Sequence, residues 1–181
     1  ATMESMFDSC SSLTNLDLRS FNTGNVTNMS HMFYECNALE SADVSGFNTQ
    51  NVTDFTYMFG YCRNLKGIDV TGFNTENAVD MSSMFTDCES VSELDVSSFN
   101  TENVTDMSSM FSGCEQLTKL DVSGFDAAKV TDMGCMFGWC ENLSELNLSG
   151  LNTSEVTDMK DMFKRCRKLA EIDVSGFNTE I

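Results

Sequence analysis

The amino-acid sequence predicts an α/β repeat solenoid of seven 26-residue coils, each with one short parallel β-strand and one short helix. Three observations support this prediction: a Met-Phe pair recurs every 26 residues, a cysteine recurs at the same step, and each period joins a helical apolar spacing to the alternation of a strand. Repeats of fixed length stack on one another, because a single unit cannot bury its apolar face.

The repeat predicts one continuous solenoid over residues 1–181, without a domain boundary. Its coils are in phase at Met6, Met32, Met58, Met84, Met110, Met136 and Met162, with no insertion between them and no proline anywhere. Neither end carries a divergent capping repeat, although solenoid ends normally have one. We therefore expect either a segment of a longer array or subunits that stack head to tail.

The helix is predicted from the apolar residues at the start of each coil. In the second coil these are Val26, Met29, Met32, Phe33 and Cys36. Their spacing is that of one face of an amphipathic helix about three turns long. Thr27, or Asn28 after it, is a residue type that caps helix N-termini, and most other copies carry Asp at the second position.

The strand is predicted from the alternation that follows the helical spacing. In the second coil Ala42 and Val44 alternate with Asp43 and Ser45, which is typical of a short, half-buried strand. Stacked coils would align these strands in a parallel sheet at about 4.8 Å per coil. Phe47 closes the apolar set, and residues 48–51 form a polar turn to the next coil.

The repeat also resembles a known family. The segment Leu117-x-x-Leu120-x-Val122 looks like the strand part of a leucine-rich repeat. The full pattern resembles the 26-residue bacterial surface-protein repeat, or BspA-like leucine-rich repeat: Leu-x-x-Leu-Asp-Val-Ser-x-Phe-Asn-Thr-x-Asn-Val-Thr-Asp-Met-Ser-x-Met-Phe-x-x-Cys. The resemblance implies a leucine-rich-repeat-like solenoid, an extracellular or cell-surface location, and a role in adhesion or partner contact.

Composition excludes several classes of function. The chain has 28 acidic and 10 basic residues and a net charge of −18, which disfavours nucleic-acid binding and suits cations or basic partners. No apolar run approaches the roughly 18 residues of a membrane span, so none is predicted. The one histidine, His31, lies at an outward position, and we expect no enzymatic activity.

The strand acids and hydroxyls form the first candidate site. On a leucine-rich-repeat-like solenoid, the strand face is the concave surface that binds partners. The predicted partner-binding residues are Asp17, Asp43, Asp69, Asp95, Asp121, Asp173, Ser45, Thr71, Ser97 and Ser123. Carboxylates one coil apart repel one another, so either backbone and serine hydrogen bonds or bridging calcium ions must offset the repulsion. No glycine-rich calcium loop is present.

The cysteines suggest a column of buried thiols at Cys10, Cys36, Cys62, Cys88, Cys114, Cys140 and Cys166. Helices of adjacent coils would lie about 8–10 Å apart, which is beyond the Cα separation of about 7 Å that a disulfide tolerates. One cysteine per coil does not gather four zinc ligands, so no zinc site is expected at these cysteines. Cys135 lies out of phase and is either a harmless surface thiol or an intermolecular disulfide in an oxidising setting.

Two further patterns lie on the predicted surface. The sequons at Asn25, Asn51 and Asn103 recur in one phase, so the repeat itself explains them, whereas in a eukaryotic secreted protein they would be N-glycosylation sites. Outward aromatic residues often mark contacts, but the four that occur here, at Tyr34, Tyr57, Tyr61 and Trp139, are an ordinary number for a surface of this size.

Two functions fit these features. The first is a non-enzymatic interaction or adhesion protein whose strand face binds a protein or glycan at a cell surface. The alternative is a structural protein whose uncapped ends stack copies of the chain into an extracellular filament. No cofactor is required by either function, although calcium is compatible with the acidic strand face.

Overall fold

The computed structural model describes residues 1–178, which form a solenoid with one coil per 26 residues. Its strands are β1 (Asn15–Asp17), β2 (Ser41–Asp43), β3 (Lys119–Asp121) and β4 (Glu145–Asn147). β1 pairs with β2 and β3 with β4, both in parallel, and each residue lies opposite the residue 26 positions later. The predicted register is therefore present, because equivalent residues of successive coils face one another.

The predicted continuous sheet is wrong for the described residues, since the strands form two separate two-stranded sheets. Gly67 stands where β1 and β2 begin in their own coils, and glycine weakens a strand. Nothing in the structure explains the same gap at residues 93–95. A second parallel ladder of single residues crosses the coils elsewhere, from Thr2 opposite Asn28 to Asp132 opposite Asp158.

The predicted helices are also wrong, because no residue between 1 and 178 is in an α-helix. Backbone donors in residues 29–36 alternate between two kinds of partner. Phe33 N donates to Met58 O of the next coil at 2.9 Å, whereas Tyr34 N donates to His31 O at 3.1 Å within a tight turn. Each segment is therefore a run of turns joined to the next coil. No helix in this part of the chain is long and apolar enough to cross a membrane.

Two residues of each turn segment have a positive φ, which a right-handed helix does not allow. The first left-handed column comprises Ser5, His31, Tyr57, Ser83, Ser109, Cys135 and Asp161; the second comprises Ser9, Glu35, Tyr61, Asp87, Gly113, Trp139 and Arg165. In the turn from Met29 to Met32, His31 is the third residue and has φ 57°. Type II turns require a positive φ at this third position.

The core lies between the turn ladder and the strands. Met29, Met32, Phe33 and Cys36 are all fully buried, so the apolar stripe points inward as predicted although no helix carries it. The equivalent phenylalanines form a stack along the solenoid, in which the Phe33 and Phe59 rings are 5.2 Å apart and nearly parallel. Each buried side chain of this size contributes about 1.5–3 kcal/mol.

Candidate interaction surfaces

The strand face is the outward side of β1 to β4 and of the equivalent residues 67–69, 93–95 and 171–173. It carries two wide depressions. One, of about 720 Å³, lies over β1 and β2 and includes Asp17, Asp43, Asp69 and Ser45. The other, of about 750 Å³, lies over β3 and β4 and includes Asp95, Asp121, Ser97 and Ser123. Thr71 and Asp173 line neither depression.

The strand acids are held by hydrogen bonds within their own coils. Asp69 Oδ1 accepts one from Thr71 N at 3.0 Å and one from Thr71 Oγ1 at 2.6 Å. Backbone bonds of the same kind hold the aspartates of six coils: Asp17, Asp43, Asp69, Asp95, Asp121 and Asp173. Since these donors stabilise the charged form, they lower the pKa of Asp69, Asp95, Asp121 and Asp173.

Arg19 further organises the first depression. Its guanidinium contacts Asp17 Oδ2 at 2.6 Å and Asp43 Oδ2 at 3.4 Å, so it bridges the acids of two coils. The side-chain hydrogen bond from Arg19 is the main reason that the pKa of Asp17 is lowered to about 2. Within residues 1–178, no three His, Cys, Asp or Glu side chains converge as a metal site requires. Calcium bridging therefore gains no support from this geometry.

The cysteine column donates its thiols to backbone carbonyls. Cys62 Sγ lies 3.1 Å from Phe33 O of the preceding coil, and the same contact recurs for Cys36, Cys88, Cys114, Cys140 and Cys166. All eight cysteines are free; Cys10 is exposed, Cys166 is half-buried and the other five column members are buried. Burial raises the pKa of Cys36 to about 11 and of Cys114 to about 12.

The distance argument made from the sequence does not hold for these cysteines. Adjacent coils are hydrogen-bonded ladders, in which neighbouring chains lie about 4.8 Å apart rather than 8–10 Å. Such a separation lies within the Cα range of a disulfide. The thiols are instead protected by burial and by their hydrogen bonds to the phenylalanine carbonyls. Cys135 is half-buried at φ 56°, and burial, followed by the charge of Asp161, raises its pKa.

The sequon asparagines differ in how free their side chains are. Asn51 Nδ2 donates to Gly24 O at 2.8 Å, and Asn103 Nδ2 donates to Glu76 O at 2.9 Å, in each case in the preceding coil. A glycan on either nitrogen would have to leave one N–H for this bond. Asn25 is exposed, and its backbone carbonyl accepts a hydrogen bond from the amino group of Ala1 at 2.7 Å.

The sequence did not reveal a third depression, of about 340 Å³, on the outer side of the turn ladder. Tyr57 and Tyr61 line one end of it and Trp139 the other. The available signal was the shared phase of Tyr61 and Trp139, which are three periods apart. What the sequence could not show is that the intervening small residues leave a gap between the rings.

Comparison with known proteins identifies the family. The family described as "Mycoplasma protein of unknown function, DUF285" matches residues 1–119 and 86–181. The chain belongs to this family. No curated protein matches it significantly. The more specific relation to BspA-like repeats stays a prediction for this DUF285 chain.

A solved structure supports the leucine-rich-repeat-like fold. The crystal structure of the T. pallidum leucine-rich repeat protein TpLRR superposes with a TM-score of 0.60 at 20% sequence identity, over 94% of this chain and 71% of that one. At this identity the similarity extends to the fold alone. It confirms the leucine-rich-repeat-like solenoid predicted from the sequence.

Proposed function

We propose that this DUF285 chain is a non-enzymatic interaction protein, active in adhesion at a cell surface or outside the cell, and that its strand face binds a basic segment of a partner protein. The observation that supports this function is the pair of depressions on the strand face, both lined by acids in fixed orientations. Repeat solenoids commonly use such extended faces for binding.

Charge argues for a basic partner. The second depression contains Asp95, Asp121, Glu145 and Glu171, and Lys119 is the basic residue in its lining. Lys119 Nζ is already paired with Glu145 Oε1 at 2.7 Å. Because the acids outnumber the bases in this depression, lysine or arginine side chains of a partner would be attracted and acidic partners repelled.

The preformed hydrogen bonds make this face suitable for recognition. Each strand aspartate is oriented by donors of its own coil, so binding needs little additional ordering of these side chains.

The extracellular location and adhesive role rest on the resemblance to surface-protein repeats. Both would be tested by antibody labelling of intact and permeabilised cells, where labelling confined to permeabilised cells would contradict them.

A selection experiment tests the binding face. Peptides displayed on phage would be selected on the wild-type chain and then measured against the Asp95→Asn/Asp121→Asn double variant. Asparagine keeps the local hydrogen bond, as Asn147 shows by accepting one from Ser149 N at 3.1 Å, so the substitutions remove charge alone. We expect lysine- and arginine-rich peptides that bind the double variant at least about tenfold more weakly, a loss of about 1.4 kcal/mol.

The matched control is the Asp106→Asn/Asp126→Asn double variant. Both aspartates accept a hydrogen bond from the backbone nitrogen two residues later, as the strand acids do, but neither lines a strand-face depression. This control should bind the selected peptides like the wild type. Equal weakening in both double variants would show a general charge effect, and unchanged binding in the strand-face variant would refute the proposed face.

End-to-end assembly is the second candidate function, and an apolar surface favours it. In the last coil, Met159, Met162, Phe163, Ile172, Val174 and Phe177 line a depression of about 580 Å³. Two occupants could cover this surface equally well: a further coil of a longer chain, or a second copy of this chain. Sedimentation of the wild type and of Val174→Lys would test assembly: concentration-dependent growth that the variant abolishes supports it, and a monomer at all concentrations refutes it.

A further inference from the structure

The depression on the outer side of the turn ladder has the composition of a ligand site. It lies between Tyr57 in the third coil and Trp139 in the sixth, and we call it the Tyr57–Trp139 trough. Two coils with small side chains lie between these rings. The lining between the aromatic rings, which we call the floor, consists of Ser83, Thr86, Asp87, Ser109, Ser112, Gly113 and Glu115.

Each aromatic ring is covered on its outer side. The His31 ring, one coil before Tyr57, stacks on it with centroids 5.1 Å apart. Lys164 Nζ, one coil after Trp139, lies 5.0 Å from the Trp139 ring centroid. The next residue of the Tyr57 column is Ser83, which is too small to cover the inner face of Tyr57. The Tyr61 ring lies beside Tyr57 and nearly parallel to it, with centroids 6.4 Å apart, so these two rings form one aromatic end of the trough and Trp139 forms the other.

The floor supplies hydrogen-bonding groups between these two aromatic ends. The hydroxyls of Ser83, Ser109 and Ser112 line it, and each both donates and accepts. The Asp87 carboxylate lies over Gly113, where a Cβ atom would be 2.0 Å from Asp87 Oδ1. A Cβ atom at position 113 would clash with the Asp87 carboxylate in its present orientation, and glycine has none. Gly113 also has a positive φ of 74°.

Asp87 differs from the strand acids in lacking a donor from its own coil. Among the described residues its side chain contacts Arg63, at 4.0 Å from guanidinium to Oδ2, and that guanidinium also pairs with Glu89. Partial burial raises the pKa of Asp87, whereas hydrogen bonds lower the pKa of the strand acids. A ligand hydroxyl that donates to this carboxylate would supply the missing hydrogen bond.

The dimensions favour a saccharide over a small cation. Tyr57 and Trp139 lie in different left-handed columns and are separated by three coil steps along the solenoid, so their rings are at least about 14 Å apart, since adjacent chains in such ladders are about 4.8 Å apart. One ammonium group must lie within about 6 Å of each ring to contact both, so a cation cage is excluded. Contact distances of about 3.5–4.0 Å at each ring leave at least about 7 Å between the ligand atoms that touch them.

We propose that the Tyr57–Trp139 trough binds a neutral, disaccharide-sized saccharide. The C–H-rich faces of its sugar rings lie against Tyr57 and Trp139, and its hydroxyls bond to Asp87 and to the serines of the floor. Acidic saccharides are disfavoured, because Asp87 and Glu115 would repel a second carboxylate or a sulfate. The site shares no residue with the strand-face depressions, so it is independent of the function proposed for them.

Trp139 is the one tryptophan of the chain, so intrinsic fluorescence reports directly on the trough. The wild-type protein would be titrated with maltose, cellobiose, lactose and N,N′-diacetylchitobiose, and with choline as the cationic probe. We expect a saturable change in Trp139 emission with at least one disaccharide and none with choline. Absence of saturation with all four saccharides, or saturation with choline instead, would overturn the proposal.

Variants locate the binding within the trough, with saturation-transfer NMR as the readout where the tryptophan is removed. Tyr57→Ser and Trp139→Gly introduce residues that the same columns already hold at Ser83 and Gly113, so the fold accommodates them. Each should weaken saccharide binding at least about tenfold. Glu93→Gln, on the strand face, is the charge-removing control and should bind normally. Wild-type affinity in both trough variants would refute the assignment.

Discussion

Replacing Thr75 by valine removes a buried hydroxyl while nearly preserving the shape of the side chain. Thr75 is 1% exposed; its Oγ1 donates to Asn100 O at 2.9 Å and accepts from Asn100 N at 2.7 Å. These two bonds join the third and fourth coils. A buried group left without its hydrogen bond costs about 1–3 kcal/mol and this substitution leaves two, so we expect Thr75→Val to lower the free energy of unfolding by about 2–6 kcal/mol.

Two related substitutions provide a graded control for Thr75→Val. Thr101 is equally buried but makes one such bond, from Oγ1 to Asp126 O at 2.8 Å. Thr101→Val should therefore cost about half as much, about 1–3 kcal/mol, and Thr105→Val, at an exposed threonine, under about 0.5 kcal/mol. Guanidinium chloride unfolding followed by circular dichroism measures all three. Equal losses in the three variants would refute the role assigned to these hydroxyls.

Two further predictions concern titratable groups. Ellman's reagent should modify the half-buried Cys135 in the folded chain but Cys114 only after unfolding, because Cys114 is fully buried and its pKa is raised to about 12; rapid native modification of Cys114 would contradict this. Hydrogen bonds from Ser97 lower the pKa of Asp95. Its contribution to stability is therefore present above the unfolded pKa, of about 3.9, and lost as the pH falls through the folded value. Asp95→Asn should accordingly lose less stability than the wild type between neutral pH and pH about 2; an identical acid dependence would contradict this.

The sequence predicted which residues of each coil point inward, but not how the backbone carries them. The spacing of Met29, Met32, Phe33 and Cys36 fits a helix face, and these residues are indeed buried. The same spacing also fits a run of tight turns, since both structures return a side chain to the core every three or four residues. Apolar periodicity reports the direction of side chains and does not identify their hydrogen-bond partners.

A signal against the helix was present at the left-handed columns. Ser83, Ser109 and Gly113 belong to residue types that are poor helix formers, and they recur at outward positions where a helix would favour Ala, Glu or Lys. This error also affected the cysteines, because the distance that excluded disulfides assumed packed helices. The buried thiol column nevertheless follows from the inward phase of the cysteines, which does not depend on the helix.

The sequence predicted the strand face more fully than the trough. Strand acids recur once per coil, so a single coil reveals their common side and the turn that holds them. The Tyr57–Trp139 trough depends on three coils at once: two aromatic ends and the small residues between them. No motif of one period encodes such a site, because it arises only where unlike residues of the two left-handed columns come together in successive coils.

The residue types found in the left-handed columns show which features the fold requires there and which features it does not explain. The fold requires a residue that tolerates a positive φ, and glycine meets this requirement without strain. Yet these columns hold His, Tyr, Trp, Cys and charged residues, with Gly113 as their one glycine. A bulky residue such as Trp139, at φ 59°, costs about 1–3 kcal/mol relative to an unstrained conformation. Because every non-glycine member of these columns has such a φ, strain alone does not distinguish Trp139; what distinguishes it is the indole ring, which contacts Lys164 and lines the Tyr57–Trp139 trough.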